Sequence, residues 1–94
     1  MGAGAVVVAW QGRVDAANIA SQRAQIDDSL EGDPDSLLID MSGVSFVDSS
    51  GLGTLVYALN ECQQRGTALS LTKVPGDILR LLQRTMLDRV FTIV

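Results

Sequence analysis

The chain has 94 residues, which fits one domain, and its apolar fraction of 47% is ordinary for a globular fold and too high for a disordered chain. Its formal net charge is −4 and its seven basic residues are scattered singly, which argues against nucleic-acid binding and against docking on an anionic membrane surface. The chain contains no histidine, which excludes Ser-His-Asp and Cys-His catalysis and histidine-based metal sites, and no cofactor is expected.

The first third of the chain predicts a strand followed by a helix. Residues 1–4 are rich in glycine and are expected to be flexible. The run AVVVAW at 5–10 is rich in β-branched residues, which indicates a buried strand. Asp15 stands where a helix N-cap is expected, and apolar residues at helical spacing predict a helix over 16–30.

The middle of the chain predicts a second strand that leads toward a second helix. A Gly-Asp-Pro-Asp turn at 32–35 precedes a short apolar strand at 37–41. Residues 42–51 are interpreted as a connection between the strand and the helix. Within it, Val44 and Phe46 alternate with a serine, as in an extended segment with one buried face.

The remainder of the chain predicts two helices and two strands. One helix begins after residue 51 and ends at Gly66, since glycine readily adopts the left-handed conformation that terminates helices. Its predicted inward face contains Leu52, Leu55, Val56, Leu59 and Cys62. An alternating strand over 68–73, a third helix over 77–85 and a last strand over 90–94 follow.

The alternation of strands and helices predicts a single α/β domain over residues 1–94. We expect a sheet of about four strands, mostly parallel or mixed, with the helices packed mainly on one side. The single cysteine, Cys62, leaves no internal disulfide, which is typical of a reducing compartment. The sequence contains no stretch of about 18 apolar residues, so no membrane-spanning helix is predicted. These features predict a cytoplasmic protein without direct membrane insertion.

The segment FVDSSGLG at 46–53 joins the extended stretch to the second helix and is the candidate functional site. Such a junction presents free backbone N–H groups and the positive end of the helix dipole, which together favour an anion. A phosphate-binding Walker A loop is excluded because it requires a lysine after the glycines. A nucleophile elbow is excluded because it requires the pattern G-x-S-x-G and a base to activate the serine. A serine that accepts phosphate from a kinase is the third interpretation.

A simpler interpretation gives the same residues no function. Asp48, Ser49 or Ser50 then only caps the helix, while Gly51 and Gly53 only permit tight packing. Because serine and aspartate are common at helix starts, the residues by themselves favour this simpler interpretation.

Four motifs give the chain a resemblance to a known family. They are GRVD at 12–15, LLIDMSGVSFVDSSGLG at 37–53, RG at 65–66 and LDRVF at 87–91. Together they resemble a STAS domain, and their pattern is most similar to the bacterial anti-sigma-factor antagonists. The resemblance extends over about 7–94, and the D-S-S-G-L-G core is its most specific part.

The resemblance implies a non-catalytic, phosphorylation-switched regulator of transcription. In that family the serine after the aspartate is phosphorylated by an anti-sigma factor that is itself an ATP-dependent serine kinase. The unphosphorylated antagonist binds this kinase and frees a sigma factor, and a phosphatase resets the phosphorylated form. Carried over to this chain, the phosphoacceptor is Ser49, and the partner-docking residues are Asp15, Asp48, Ser50 and Gly51.

Three features depart from the family pattern. The family usually has a further strand before the one predicted at 5–10, and the residue after Gly12 is usually acidic, whereas here it is Arg13. The family often has T-G-L near the end of its last helix, where this chain has Met86 in place of the glycine. If that position is left-handed, methionine costs about 1 kcal/mol relative to glycine.

Two alternative functions belong to other classes. A STAS subunit or detached domain of an anion or lipid membrane transporter would use the same fold as a docking module. A hydrolase that uses Ser49 as its nucleophile is disfavoured, because no histidine is present to activate the serine. The D-S-S-G-L-G motif favours the phosphorylation switch, since a transporter module needs no acceptor serine.

Overall fold

The computed structural model describes residues 4–94, and strands alternate with helices along them. The elements are β1 (Ala5–Val14), α1 (Ile19–Leu30), β2 (Ser36–Val47), α2 (Ser49–Arg65), β3 (Ala68–Thr72), α3 (Gly76–Arg84), a short 3₁₀ helix (Leu87–Arg89) and β4 (Thr92–Ile93). The flexibility predicted for 1–4 concerns mainly residues 1–3, which lie outside the described residues. The carbonyl of Gly4 accepts hydrogen bonds from the backbone N–H groups of Asp35 and Ser36.

The four strands form one sheet in the order β1-β2-β3-β4, and each neighbouring pair is parallel. Because the order in space follows the order in the chain, every crossover moves by one strand in the same direction. Right-handed crossovers then place the connecting helices on the same face of the sheet. The predicted α/β class and the sheet of four strands are confirmed, and the sheet is wholly parallel over residues 4–94.

The core lies between the sheet and the helices. Alternate residues of the two central strands are buried against the helices, namely Leu37, Ile39 and Met41 of β2 and Leu69 and Leu71 of β3. The helices contribute Ile26, Leu30, Leu55, Ala58, Cys62, Ile78 and Leu82. With few aromatic residues available, aliphatic side chains fill most of this layer, and burial of their apolar surface is the main stabilising contribution.

The first two strands are longer than predicted, and residues 42–47 belong to β2 rather than to a connection. β1 and β2 continue to pair as far as Val14 and Val47, with register shifts between Ala9 and Gln11 and between Gly12 and Arg13. At each shift β2 has one more residue than β1. The β2 residues that face the core are therefore three positions apart here, at Met41, Val44 and Val47, and not two apart as in a regular strand. This is the effect expected of β-bulges.

The bulges also reverse the predicted orientation of Phe46. Val44 and Val47 are buried, three residues apart, whereas Phe46 is 39% exposed. The prediction that Val44 and Phe46 share a buried face was therefore wrong for Phe46. Strict alternation does not hold across a bulge, and the bulge is set by pairing with β1 rather than by local sequence.

The start of the first helix differs from the prediction. α1 begins at Ile19, three residues later than predicted, and Asp15 is not its N-cap. The Asp15 carboxylate instead accepts hydrogen bonds from the backbone N–H of Ala17 and from Asn18 Nδ2, both at 3.1 Å. These bonds close a turn between β1 and α1, because aspartate readily bonds to groups two or three residues ahead.

The C-terminal part of the chain is less extended than predicted. β3, α3 and the helix end at Gly66 agree with the sequence analysis, and Gly66 has a positive φ of 71°. The last strand contains only Thr92–Ile93, because a 3₁₀ helix occupies the residues before it. Met86 has a φ of 61°, so this methionine does adopt the left-handed conformation considered above.

Candidate functional site

The candidate site lies at the carboxyl edge of the sheet, where β1 and β2 both end. Val14 and Val47 are paired residues of the parallel ladder, and Asp15 and Asp48 are the residues that follow them. The carboxyl ends of parallel strands meet at one edge of a sheet, which is where α/β folds generally carry their sites. The topology therefore brings together Asp15 and the D-S-S-G segment, which are 33 residues or more apart in the chain.

Asp48 fixes the junction between β2 and α2. Its backbone is extended and its carboxylate accepts a hydrogen bond of 2.9 Å from the Gly51 N–H, which makes it the N-cap of α2. Its own N–H donates to the Val14 carbonyl at 3.3 Å, and its carbonyl accepts from the Leu52 N–H at 2.9 Å. An aspartate cap of this kind contributes about 0.5–2 kcal/mol to stability. The helix-capping role considered for Asp48 is thus observed.

Ser49 is the first residue of α2 and is exposed, while Ser50 is half-buried. The helix begins three residues before the start at Leu52 that the sequence predicted. The Ser50 carbonyl accepts a hydrogen bond of 3.1 Å from Thr54 Oγ1, so Ser50 takes part in the first turn. Since Asp48 already caps the helix, the Ser49 hydroxyl is not needed for that purpose.

Gly51 is buried because the first turn of α2 packs closely against the end of β1. A Cβ at this position would overlap the Val14 carbonyl oxygen and lie 3.0 Å from the carbonyl carbon and 2.9 Å from Val47 Cγ1. Gly53 has no such neighbour within 4 Å. Gly51 thus supports the site through packing, and its direct contact with a partner stays a prediction.

Asp15 lies beside this junction with its carboxylate held on two sides. Arg13 Nε donates to one carboxylate oxygen at 2.9 Å, and Asn18 Nδ2 donates to the other. Asn18 Nδ2 also donates to the Arg13 carbonyl at 2.8 Å, so this one amide joins the end of β1 to the start of α1. The sequence analysis missed Asn18, because it placed this residue inside the helix predicted over 16–30.

Phe46 is the second residue of the site that the sequence analysis missed. The guanidinium carbon of Arg13 lies 4.2 Å from the centre of the Phe46 ring, within the range of a cation–π contact. Both side chains are largely accessible, and they are paired residues of the β1–β2 ladder. Arg13 was noted in the sequence only as a departure from the family pattern, and no local signal indicated its contact with Phe46.

The side chains described at this edge carry hydroxyl, carboxylate, amide and guanidinium groups, together with one aromatic ring. Within residues 4–94 there is no cluster of three or more side chains suited to a metal ion. In the same part of the chain, no helix has the length and apolar character to cross a membrane.

A cavity of about 240 Å³ lies elsewhere, between β1 and α1. Its lining contains no charged residue and none of the predicted site residues, and consists of Ala9, Trp10, Gln11, Asn18, Ser21, Gln22 and Gln25. Of these lining residues, Trp10 and Gln22 each have a buried polar atom, Nε1 and Oε1, that has no hydrogen-bond partner among the atoms of residues 4–94. The volume is below the range of about 300–1,000 Å³ that is typical of small-molecule sites, and it lacks a cation for phosphate.

Comparison with known proteins gives one family and several similar folds. The STAS domain model matches residues 2–94. An anti-sigma factor antagonist from Mycobacterium paratuberculosis has 25% identity and a TM-score of 0.79, over 97% of this chain and 77% of that chain. The unphosphorylated form of the anti-sigma factor antagonist SpoIIAA has 22% identity and a TM-score of 0.68, over 92% and 88%. A sulfate transporter family protein from Wolinella succinogenes has 20% identity and a TM-score of 0.77, over 95% and 75%.

Proposed function

The chain belongs to the STAS domain family, and within that family we propose that it is an anti-sigma factor antagonist whose switch is phosphorylation of Ser49. Unphosphorylated, it binds and sequesters an anti-sigma factor that is also a serine kinase. Phosphorylated, it is released, and a phosphatase restores the first state. In this proposal the protein is a cytoplasmic binding partner and not an enzyme. The exposed Ser49, directly after a helix cap that does not depend on it, is the observation that supports the proposal most.

The position of Ser49 allows phosphorylation without unfolding. A phosphoserine adds about −1.5 to −2 charges at neutral pH. At the first turn of a helix an anion is favourable by roughly 0.3–1 kcal/mol at an exposed site. The two features that hold this junction, the Asp48 cap and the packing of Gly51 on Val14, involve no atom of the Ser49 side chain. We therefore expect phosphorylation to change the surface and leave the fold intact.

Release of the partner then follows from the charges at the edge. A partner that covers Asp15, Asp48 and Ser49 must remove water from a phosphate dianion beside two carboxylates. Removing water from an ion in this way costs several kcal/mol, and every 1.4 kcal/mol is tenfold in affinity. We therefore expect phosphorylation of Ser49 to weaken the complex strongly.

The alternative function is a STAS subunit or detached domain of a membrane transporter for anions or lipids. The Wolinella succinogenes protein and a SulP transporter STAS domain from Vibrio cholerae share the fold, with TM-scores of 0.77 and 0.70, so the fold does not separate the two functions. An exposed serine directly after the aspartate that caps α2 supports the switch. Copurification from the native host distinguishes them, since the switch binds a kinase-like ATPase and the module binds a permease.

The first experiment tests the acceptor. The protein purified from its host is analysed by intact mass with and without phosphatase, and the recombinant protein is incubated with the copurified kinase and ATP. We expect the wild type to gain one phosphate and Ser49→Ala to gain none. Ser45→Ala, which removes another exposed hydroxyl on the same strand–helix unit, is the matched control and retains the phosphate. Phosphate still gained by Ser49→Ala would identify another acceptor, with Ser50 tested first.

The second experiment tests the switch by calorimetric titration against the same kinase. Ser49→Ala is expected to bind at least as tightly as the wild type, because it adds no charge. Ser49→Glu adds one charge at the edge and is expected to weaken binding by at least about tenfold. Equal affinities for the wild type and both variants would leave Ser49 as a helix residue without function and refute the proposal.

A further inference from the structure

Arg13 is held by two contacts at the edge of the site. Its Nε lies 2.9 Å from the Asp15 carboxylate and its guanidinium carbon lies 4.2 Å from the centre of the Phe46 ring. The arginine side chain is 60% exposed. The Asp15 side chain is only 15% exposed, but without Arg13 its carboxylate still accepts hydrogen bonds from the Ala17 N–H and from Asn18 Nδ2. For the exposed guanidinium, a single ion pair and a cation–π contact contribute little, so it exchanges them readily for a stronger contact.

The ladder places Arg13 close to the start of α2. Arg13 is paired with Phe46, and Ser49 lies three residues beyond Phe46 in the chain. That separation is at most about 10 Å along a strand, with one strand spacing of about 5 Å across. The first turn of α2 lies against Val14, the residue after Arg13. A long arginine side chain and a phosphoryl group on serine together span this gap.

Other cations with known contacts are engaged elsewhere in the fold. Arg23 lies over Tyr57, Arg65 pairs with Asp33 and Glu61, and Lys73 pairs with Asp40. Arg13 differs from these three cations in that strand pairing places it beside the Ser49 junction. A guanidinium binds a phosphate through two parallel hydrogen bonds, which is stronger and better oriented than its single Nε contact with Asp15.

Resting on the proposed function, we infer that Arg13 is the positioning residue of the switch: after phosphorylation its guanidinium leaves Asp15 and Phe46 and pairs with the phosphate on Ser49. The phosphoryl transfer itself belongs to the kinase. In the kinase, the bond between the γ-phosphorus and the β–γ bridging oxygen of ATP breaks and ADP leaves. A bond forms from Ser49 Oγ to that phosphorus, and the serine hydroxyl proton passes to solvent. The movement of Arg13 then exposes the Phe46 ring and leaves the Asp15 carboxylate without its cation. Phosphorylation in this way changes the surface that the partner would cover at Ser49, at Phe46 and at Asp15.

The inference is tested by phosphorus NMR on protein with phosphoserine installed at position 49 during translation, so that no kinase is required. The second ionisation of phosphoserine has a pKa of about 6. Arg13 lowers this pKa because it stabilises the dianion, whereas the carboxylates of Asp15 and Asp48 raise it. The first turn of α2 adds no acidic side chain, and its N–H groups favour the dianion in every variant.

The expected result is a higher phosphate pKa in Arg13→Gln than in the wild type, by about a threefold change in the ionisation constant. Arg23→Gln is the matched control, because it removes the same charge from a different surface and leaves the pKa near the wild-type value. Arg13→Lys keeps the charge without the planar fork and is expected to recover part of the shift. A merely structural role for Arg13 would not produce this pattern.

Equal phosphate pKa values in Arg13→Gln and Arg23→Gln would overturn the inference. A phosphorylated chain that loses its helical circular dichroism would overturn it as well, since the edge on which Arg13 acts would no longer exist. Failure of the proposed function is a separate outcome. It would be seen as a kinase that binds the chain but transfers no phosphate to Ser49, while the installed phosphoserine still reports on Arg13.

Discussion

Replacement of Gly51 by alanine isolates the close approach between α2 and β1. The new Cβ would overlap the Val14 carbonyl oxygen and lie 2.9 Å from Val47 Cγ1. Two of the three nearest atoms belong to the backbone of β1, which cannot turn aside as the end of a flexible side chain does. Overpacking of this kind costs typically 1–3 kcal/mol, and about 1 kcal/mol is offset because alanine favours a helix over glycine. We expect Gly51→Ala to lower the free energy of unfolding by up to about 2 kcal/mol.

Gly53→Ala is the matched control on the same helix. It has the same gain in helix propensity, and its Cβ would meet nothing within 4 Å, so the variant is expected to be more stable than the wild type by up to about 1 kcal/mol. The difference between the two variants is therefore the steric cost alone, about 1–3 kcal/mol. For a domain of this size that corresponds to a melting temperature at least about 4 °C lower for Gly51→Ala.

Urea and thermal unfolding measure this difference. Circular dichroism follows the helices, and fluorescence follows Trp10, which is the only tryptophan of the chain and is buried. Coincident transitions by both probes indicate two-state unfolding, which makes the comparison of free energies valid. If Gly51→Ala unfolds at the same urea concentration as Gly53→Ala, the first turn of α2 does not pack on Val14 as described and the reasoning fails.

Three further predictions concern other parts of the molecule. Asp48→Ala is expected to lose about 0.5–2 kcal/mol of stability in urea unfolding, while Asp48→Asn retains most of it; equal losses would contradict the capping role. Met86→Gly relieves a left-handed methionine and is expected to gain up to about 1 kcal/mol over Met86→Ala, which keeps the Cβ; no gain would mean that the methionine carries no strain. Burial raises the pKa of the Cys62 thiol, so the native state keeps this proton to a higher pH than the unfolded state. Stability should fall as pH rises above about 8.5, and less steeply in Cys62→Ala, as measured by urea unfolding between pH 7 and 10; parallel curves would contradict this.

The type and order of most elements could be predicted from the sequence alone, because each depends on local pattern. A β-branched run predicted β1, helical spacing predicted α1 and α2, and the glycine at position 66 marked the end of α2. The candidate site was also visible locally. The D-S-S-G segment lies within one turn of chain, and its aspartate caps the helix with groups only three residues away.

The tertiary structure decided everything at the site that depends on β1 pairing with β2. The two register shifts in this ladder carry β2 on to Val47 and turn Phe46 outward onto Arg13. The same pairing places Asp15 beside Asp48 and makes Gly51 necessary. No local pattern specifies a bulge or a contact between residues more than 30 positions apart, because their free energy comes from two strands fitting together and not from the conformational preference of either one.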